Sequence, residues 1–200
     1  MTQSKPEHTF SYADYLTWPE EQRWELLDGV PSLQATPSRI HQEISGELYR
    51  QLANYFRGKS CRVYHAPFCV RLDGEKKDME VNNVVEPDIS IVCDHSKLDE
   101  KGCRGAPDLI IEIVSQSSGK MDKLIKFNKY EQAGVKEYWI VEPLEKLVSV
   151  FVLQMNGRYG RPETYTDEDT IKVSTLGDLT IDLPSVFPQE EETPESGPPS

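Results

Sequence analysis

The segment Asp108-Leu109-Ile110-Ile111-Glu112-Ile113-Val114 has the composition of a strand covered on both faces, yet a glutamate stands in its middle. A near-continuous run of branched apolar residues is the pattern of a fully buried strand. An ionised carboxylate in such surroundings costs several kcal/mol unless a partner or a cation meets it. Side chains alternate along a strand, so Asp108, Ile110, Glu112 and Val114 share one face, and Leu109, Ile111 and Ile113 share the other.

Upstream, Glu86-Pro87-Asp88 leads into a second apolar run, Ile89-Ser90-Ile91-Val92-Cys93. Downstream, Asp122, Lys126 and Tyr130 recur every four residues and form one column of a helix, displaced from the apolar side chains Met121, Leu124 and Ile125. Ser117 and Ser118 can cap that helix, expected to run to Ala133, and Gly134 supplies the residue type that most readily takes the left-handed conformation ending it. Glu137-Tyr138-Trp139-Ile140-Val141 then returns as a strand. Nearer the start, Ser38 caps a long amphipathic helix with Ile40, Ile44, Leu48, Leu52 and Phe56 at four-residue spacing.

The remaining segments read as a short helix or turn over Thr9 to Leu16, a hairpin of Trp24 to Leu27 and Val30 to Ala35 about Asp28-Gly29, and one strand from Arg62 to Leu72. Leu147 to Leu153, Arg158 to Tyr165 and Ile171 to Val173 read as antiparallel strands, with a turn at Asn156-Gly157. This order predicts an α/β (α+β) fold, a mixed β-sheet flanked by helices with additional antiparallel strands at the C-terminal end.

A chain of 200 residues fits one domain and buries about 70% of its unfolded surface. The expected domain covers residues 1–188. Residues 189–200, rich in Glu and Pro, are expected to be a disordered acidic tail. The formal net charge of -12 excludes the basic footprint of a strong non-specific nucleic-acid binder, so a polyanionic substrate needs local compensation. Cys61, Cys69, Cys93 and Cys103 form no C-x-x-C pair and read as reduced core thiols. Neither an apolar leader nor a run of membrane-spanning length is present, which leads to the expectation of a cytoplasmic protein with no membrane partner.

If the Asp88 strand lies beside the Glu112 strand, the two carboxylates converge on a hard divalent cation, which prefers oxygen ligands. Lys126 can then reach a cation-bound water or a phosphate, with Tyr130 one turn further on. Plainer readings exist for each residue. Asp88 after a proline opens many strands, and an i,i+4 Asp122–Lys126 pair on a surface is worth about 0.3–0.5 kcal/mol. An internal ion pair to Lys126 or Arg104 would also account for Glu112. Ser115, Ser117 and Ser118 lack a G-x-S-x-G elbow and are explained by helix capping, which sets a serine hydrolase aside.

At these residues the chain resembles the PD-(D/E)XK restriction-endonuclease-like superfamily, and within it the branch called the Uma-two family. The similarity runs through Glu86-Pro87-Asp88-Ile89, Gly105 to Ser115, Asp122-x3-Lys126-x3-Tyr130 and Gly134 to Val141, and extends to Trp24 to Gly29 and His41. The resemblance implies a Mg²⁺-dependent phosphodiester hydrolase, a DNA endonuclease, with Mn²⁺ able to substitute; a homodimer would match a two-fold duplex substrate. Asp88 and Glu112 would be metal ligands, joined by the backbone carbonyl of Ile113. Val114 occupies the place of the usual E-x-K lysine, and Lys126 on the following helix takes that role ahead of Lys123 or Lys129. Glu43 or Glu47, His41, Glu25, Asp122 and Tyr130 are supporting candidates. The missing E-x-K lysine and the acidic balance motivate the alternative, a non-catalytic binding or assembly protein that retains the nuclease fold.

Overall fold

The computed structural model describes residues 8–19, 21–114 and 120–188, the first four residues of the last segment by backbone alone. The expected tail and the serines Ser115, Ser117 and Ser118 lie outside the described residues. The chain begins with α1 (Tyr12–Tyr15), the hairpin β1 (Trp24–Leu27) and β2 (Val30–Leu33), and the long helix α2 (Arg39–Phe56). Strands β3 (Arg62–His65), β4 (Val70–Arg71), β5 (Val84–Val85), β6 (Ile89–Val92), β7 (Leu98–Asp99), β8 (Gly102–Arg104) and β9 (Leu109–Ile113) follow. Helix α3 (Lys120–Ala133) leads to β10 (Glu137–Glu142), β11 (Leu147–Val152), β12 (Glu163–Thr166), β13 (Thr170–Lys172) and β14 (Thr180–Asp182).

The main sheet has the order β12-β11-β10-β9-β6-β3 and is mixed, because β9 and β10 run parallel while their neighbours are antiparallel. Its two faces follow the alternation of β9. Leu109, Ile111 and Ile113 share a core with Ile44, Leu48, Leu52 and Phe56 of α2. Ile110 packs instead with Tyr130 of α3, Val135 and Tyr138. Burying each large apolar side chain of α2 contributes about 1.5–3 kcal/mol, an upper figure because the unfolded chain is not fully extended. The side chain of Ser38 caps α2 by accepting from the backbone N–H of His41.

A second sheet, β2-β1-β5-β4-β8-β7, shares the Ile110 core through Val70, Val85 and Cys103 and packs a smaller one of Leu26 and Val84 with Tyr12 and Val81. β5 belongs to this sheet and β6 to the main one, so the link Glu86-Pro87-Asp88 is the seam between them. Pro87 has no N–H to continue a ladder, which suits it to the point where the chain changes sheets. The tight turn of the β1–β2 hairpin has positive φ at both Asp28 and Gly29, as its Asp-Gly pair demands. None of the described helices is long and apolar enough to cross a membrane.

Four expectations are corrected. The stretch from Arg62 to Leu72 is not one strand: Pro67 interrupts it, and β3 and β4 end in different sheets. Cys61 and Cys93 are joined in a disulfide, while Cys69 and Cys103 are free thiols. The two bonded cysteines extend the antiparallel Arg62↔Val92 register by one residue, which sets them face to face. On α3, Leu124 is 56% exposed, and Phe127 and Tyr130 lie in the core instead. The sheet face that α3 covers carries Glu112, so the helix turns Lys126 and Tyr130 inward. Lastly, β12 begins at Glu163 rather than Arg158, and β14 is an additional strand that pairs with β13.

Gly102 ties the second sheet together. Its φ of 125° is outside the range of ordinary L residues, and a Cβ there would lie 2.1 Å from the carbonyl oxygen of Cys69. Gly102→Ala is expected to lower stability by about 2 kcal/mol or more in urea denaturation. A change within about 0.5 kcal/mol, the range of a neutral surface substitution, would contradict this close approach.

Candidate active site

The β6–β9 register pairs Ile89 with Ile111, and continuing it by one residue sets Asp88 opposite Glu112. Asp88 leaves the ladder there and caps it: its Oδ2 accepts from the backbone N–H of Ile113 at 2.7 Å. Its Oδ1 lies 3.1 Å from Nε2 of His41, in the first turn of α2. On the facing strand, Glu112 Oε1 accepts from the Lys126 ammonium at 3.0 Å and from the Tyr130 hydroxyl at 2.5 Å. Lys126 and Tyr130 reach the same oxygen because they stand one turn apart on α3.

The second sheet supplies the rest. Lys126 also donates to Glu25 Oε1 at 2.8 Å, and that oxygen accepts from the backbone N–H of Glu86 at 3.0 Å. Glu25 is 2% exposed and Glu112 9%, so water can compensate neither carboxylate well. Glu25 and Glu112 thus share the single ammonium of Lys126, while Asp88, opposite Glu112, is met by the imidazole of His41. The cluster is short of positive charge.

Its proton affinities follow from that shortage. Burial pushes the Glu112 carboxyl up, to about 7; Lys126 pulls it down, while Asp88 and Glu25 push it further up. Burial works against the charge on Lys126, but Glu112 and Glu25 outweigh it and hold the ammonium above its ordinary range. Burial and the neighbouring Glu112 raise the Tyr130 hydroxyl well above its usual value, so it remains a donor. Burial lowers the His41 imidazole, yet its hydrogen bond to Asp88 and the charge of Asp88 prevail and raise it overall. His41 Nδ1 is buried with no hydrogen-bond partner.

Among the described residues no group of three or more His, Cys, Asp or Glu side chains is arranged to hold a metal ion. The donors available are therefore the two carboxylates of Asp88 and Glu112 and the carbonyl of Ile113. These are hard oxygen donors, and Mg²⁺ commonly binds through one or two carboxylates while retaining waters. The same set lacks the nitrogen and sulfur ligands of a closed zinc site. The donor chemistry and the local charge deficit fit a hard divalent cation.

Several sequence candidates stand elsewhere. Glu43, with its side chain 40% exposed, meets Arg39, and Glu47 meets Arg50 and Ser185. Both interactions leave these acids engaged away from Asp88. Lys129 pairs with Asp28, and Arg104 pairs with Asp78, which leaves Lys126 as the partner of Glu112. The side chains of Asp122 and Lys123 lie outside the described set. The sequence marks Glu25 as a supporting candidate without a defined role, although it stands between apolar neighbours in Trp24-Glu25-Leu26-Leu27 just as Glu112 does in its strand.

Removing the ammonium should leave buried carboxylates without compensation. Lys126→Met is expected to lower stability by about 3–5 kcal/mol in urea denaturation. Adding Glu25→Gln and Glu112→Gln to that variant should recover most of the loss. Equal stability of the single and triple variants would contradict the charge balance described.

Comparison with known proteins agrees with this arrangement at the level of fold. The crystal structure of a "putative nuclease" from Anabaena variabilis superposes with a TM-score of 0.71 at 19% sequence identity, covering 89% of this chain and 97% of that one. An uncharacterized protein of Synechocystis sp. is 27% identical over 177 residues, 87% of this chain and 90% of that protein. The match to the Uma2 family, described as "Putative restriction endonuclease", spans residues 12–184, and the chain belongs to that family.

Proposed function

We propose that the protein is a Mg²⁺-dependent phosphodiester hydrolase, a DNA endonuclease, with its centre at the seam between the two sheets. The observation that carries this reading is the pair of buried carboxylates, Glu25 and Glu112, on the single ammonium of Lys126, with Asp88 set opposite Glu112 by the β6–β9 register. Asp88, Glu112 and the carbonyl of Ile113 would hold the cation, and Mn²⁺ would substitute for Mg²⁺. A divalent ion bound there supplies phosphoryl polarisation and a lowered pKa for an attacking water.

The chain's own residues supply position and charge. Lys126 remains an ammonium beside Glu112, where it orients the attacking water and stabilises the negative charge that builds on the phosphate. Tyr130 fixes the Glu112 oxygen that faces Lys126, and Glu25 fixes Lys126 from the opposite side. A homodimer would match the two-fold symmetry of a duplex substrate. One observation favours a non-catalytic scaffold instead: Lys126 already has carboxylate partners on both sides, as a purely structural ion pair would.

Turnover separates these readings. Wild-type protein is expected to cleave duplex DNA with Mg²⁺ or Mn²⁺, and Asp88→Asn or Glu112→Gln to reduce cleavage on the order of 100-fold or more. Cleavage by Glu112→Gln at the wild-type rate would remove the assignment. The location of the ion has a second readout. The Asp88 carboxylate raises the proton affinity of His41, so a cation bound to Asp88 should weaken that attraction and lower the His41 pKa. NMR titration of the imidazole with and without Mg²⁺ should show this downward shift, and a pKa unmoved by saturating Mg²⁺ would place the ion elsewhere.

A further inference from the structure

Arg23 stands immediately before β1, and the charge cluster described above does not use it. Its Nε donates to Glu86 Oε2 at 2.8 Å, with the Arg23 side chain 34% exposed and that of Glu86 9%. The anchor is itself held in place: the Tyr15 hydroxyl lies 3.4 Å from Glu86 Oε1, and the Glu86 backbone N–H binds Glu25. Among the described residues no hydrogen-bond partner meets the two terminal nitrogens of Arg23, and neither is buried without a partner. An arginine bound through Nε alone keeps the flat edge of its guanidinium open.

The anchor of that edge lies close to Asp88 along the chain. Glu86 precedes Asp88 by two residues, a chain length that spans at most about 7 Å. Pro87 disfavours the helical conformation at Glu86 and keeps the link extended. Arg23 also acts electrostatically on His41, which sits on Asp88. Among the described residues, Arg39 is engaged by Glu43 and Lys129 by Asp28. A chain with net charge -12 needs a local cation to receive a phosphate, and a guanidinium fork matches phosphate oxygens where a lysine offers only a point charge.

We infer that Arg23 is the phosphate clamp of this site, its terminal nitrogens binding the non-bridging oxygens of a phosphodiester beside the cation held by Asp88 and Glu112. This inference rests on the proposed nuclease function and names the residue that seats its substrate. Glu86 is then a positioning residue that aims the guanidinium.

The test is binding of a fluorescein-labelled DNA duplex to the full chain, followed by anisotropy in EDTA over a series of salt concentrations. Arg23→Gln is expected to weaken binding about 10-fold and to reduce the slope of log K against log salt by about one, as loss of one phosphate contact does. Arg23→Lys keeps the charge and so the salt slope, while losing part of the affinity because the fork is gone. Wild-type affinity and slope in Arg23→Gln would overturn the inference, as would the absence of any duplex binding by the wild type at low salt. An Arg23→Gln variant that melts earlier but keeps its salt slope would reveal a purely structural ion pair and overturn it too. Should that variant fail to fold, Arg23→Lys decides: reduced affinity at unchanged slope supports the clamp, and wild-type affinity rejects it. Cleavage assays on the same proteins separate the two claims. Arg23-dependent binding without Mg²⁺-dependent cleavage removes the nuclease reading alone, and cleavage with Arg23-independent binding removes the clamp alone.

Discussion

Lys126 is bound between Glu112 of the main sheet and Glu25 of the second sheet, and the architecture around the site depends on that contact. A buried ammonium is tolerated only with close anionic partners, and a buried carboxylate only with cations or donors. The three side chains therefore have to meet, although they come from a hairpin, a central strand and a helix far apart in the chain. Tyr130 adds a neutral donor to the same Glu112 oxygen. The result holds α3 against both sheets while leaving more carboxylate than ammonium at their junction.

That junction is made by backbone chemistry. β5 pairs with β1 and β4, β6 pairs with β3 and β9, and the chain passes from one set to the other through Glu86-Pro87-Asp88. The Asp88 side chain takes over from the interrupted ladder by accepting from Ile113 N–H, so a residue proposed to bind an ion also terminates a sheet pairing. Two residues earlier, the Glu86 backbone N–H secures Glu25, and its carboxylate aims Arg23. A three-residue link thereby couples sheet geometry to the charge distribution of the site.

Much of this could be read from local pattern. Ile44, Leu48, Leu52 and Phe56 announced α2 and its buried face, and the misplaced charge of Glu112 pointed to the centre of the cluster. The alternation along β9 correctly separated Ile110 from Leu109 and Ile111. Long-range pairings were not legible. Cys61 and Cys93 carry no motif, and only the β3–β6 register brings them together. The inward face of α3 was misjudged because Leu124 is apolar, whereas the sheet opposite presents a carboxylate that favours Lys126 and Tyr130. The role of Glu25 and the place of Arg23 are not legible in the sequence, since their partners lie more than sixty residues away in the chain.

The central claim is that Asp88 and Glu112 share one hard divalent cation with Lys126 beside it. Anomalous diffraction from a crystal of the protein soaked in Mn²⁺ tests this most directly. The account predicts one strong peak within about 2.5 Å of oxygens from both carboxylates and of the Ile113 carbonyl. A saturating soak that leaves this position without a peak, or that places the ion on other residues, would contradict it.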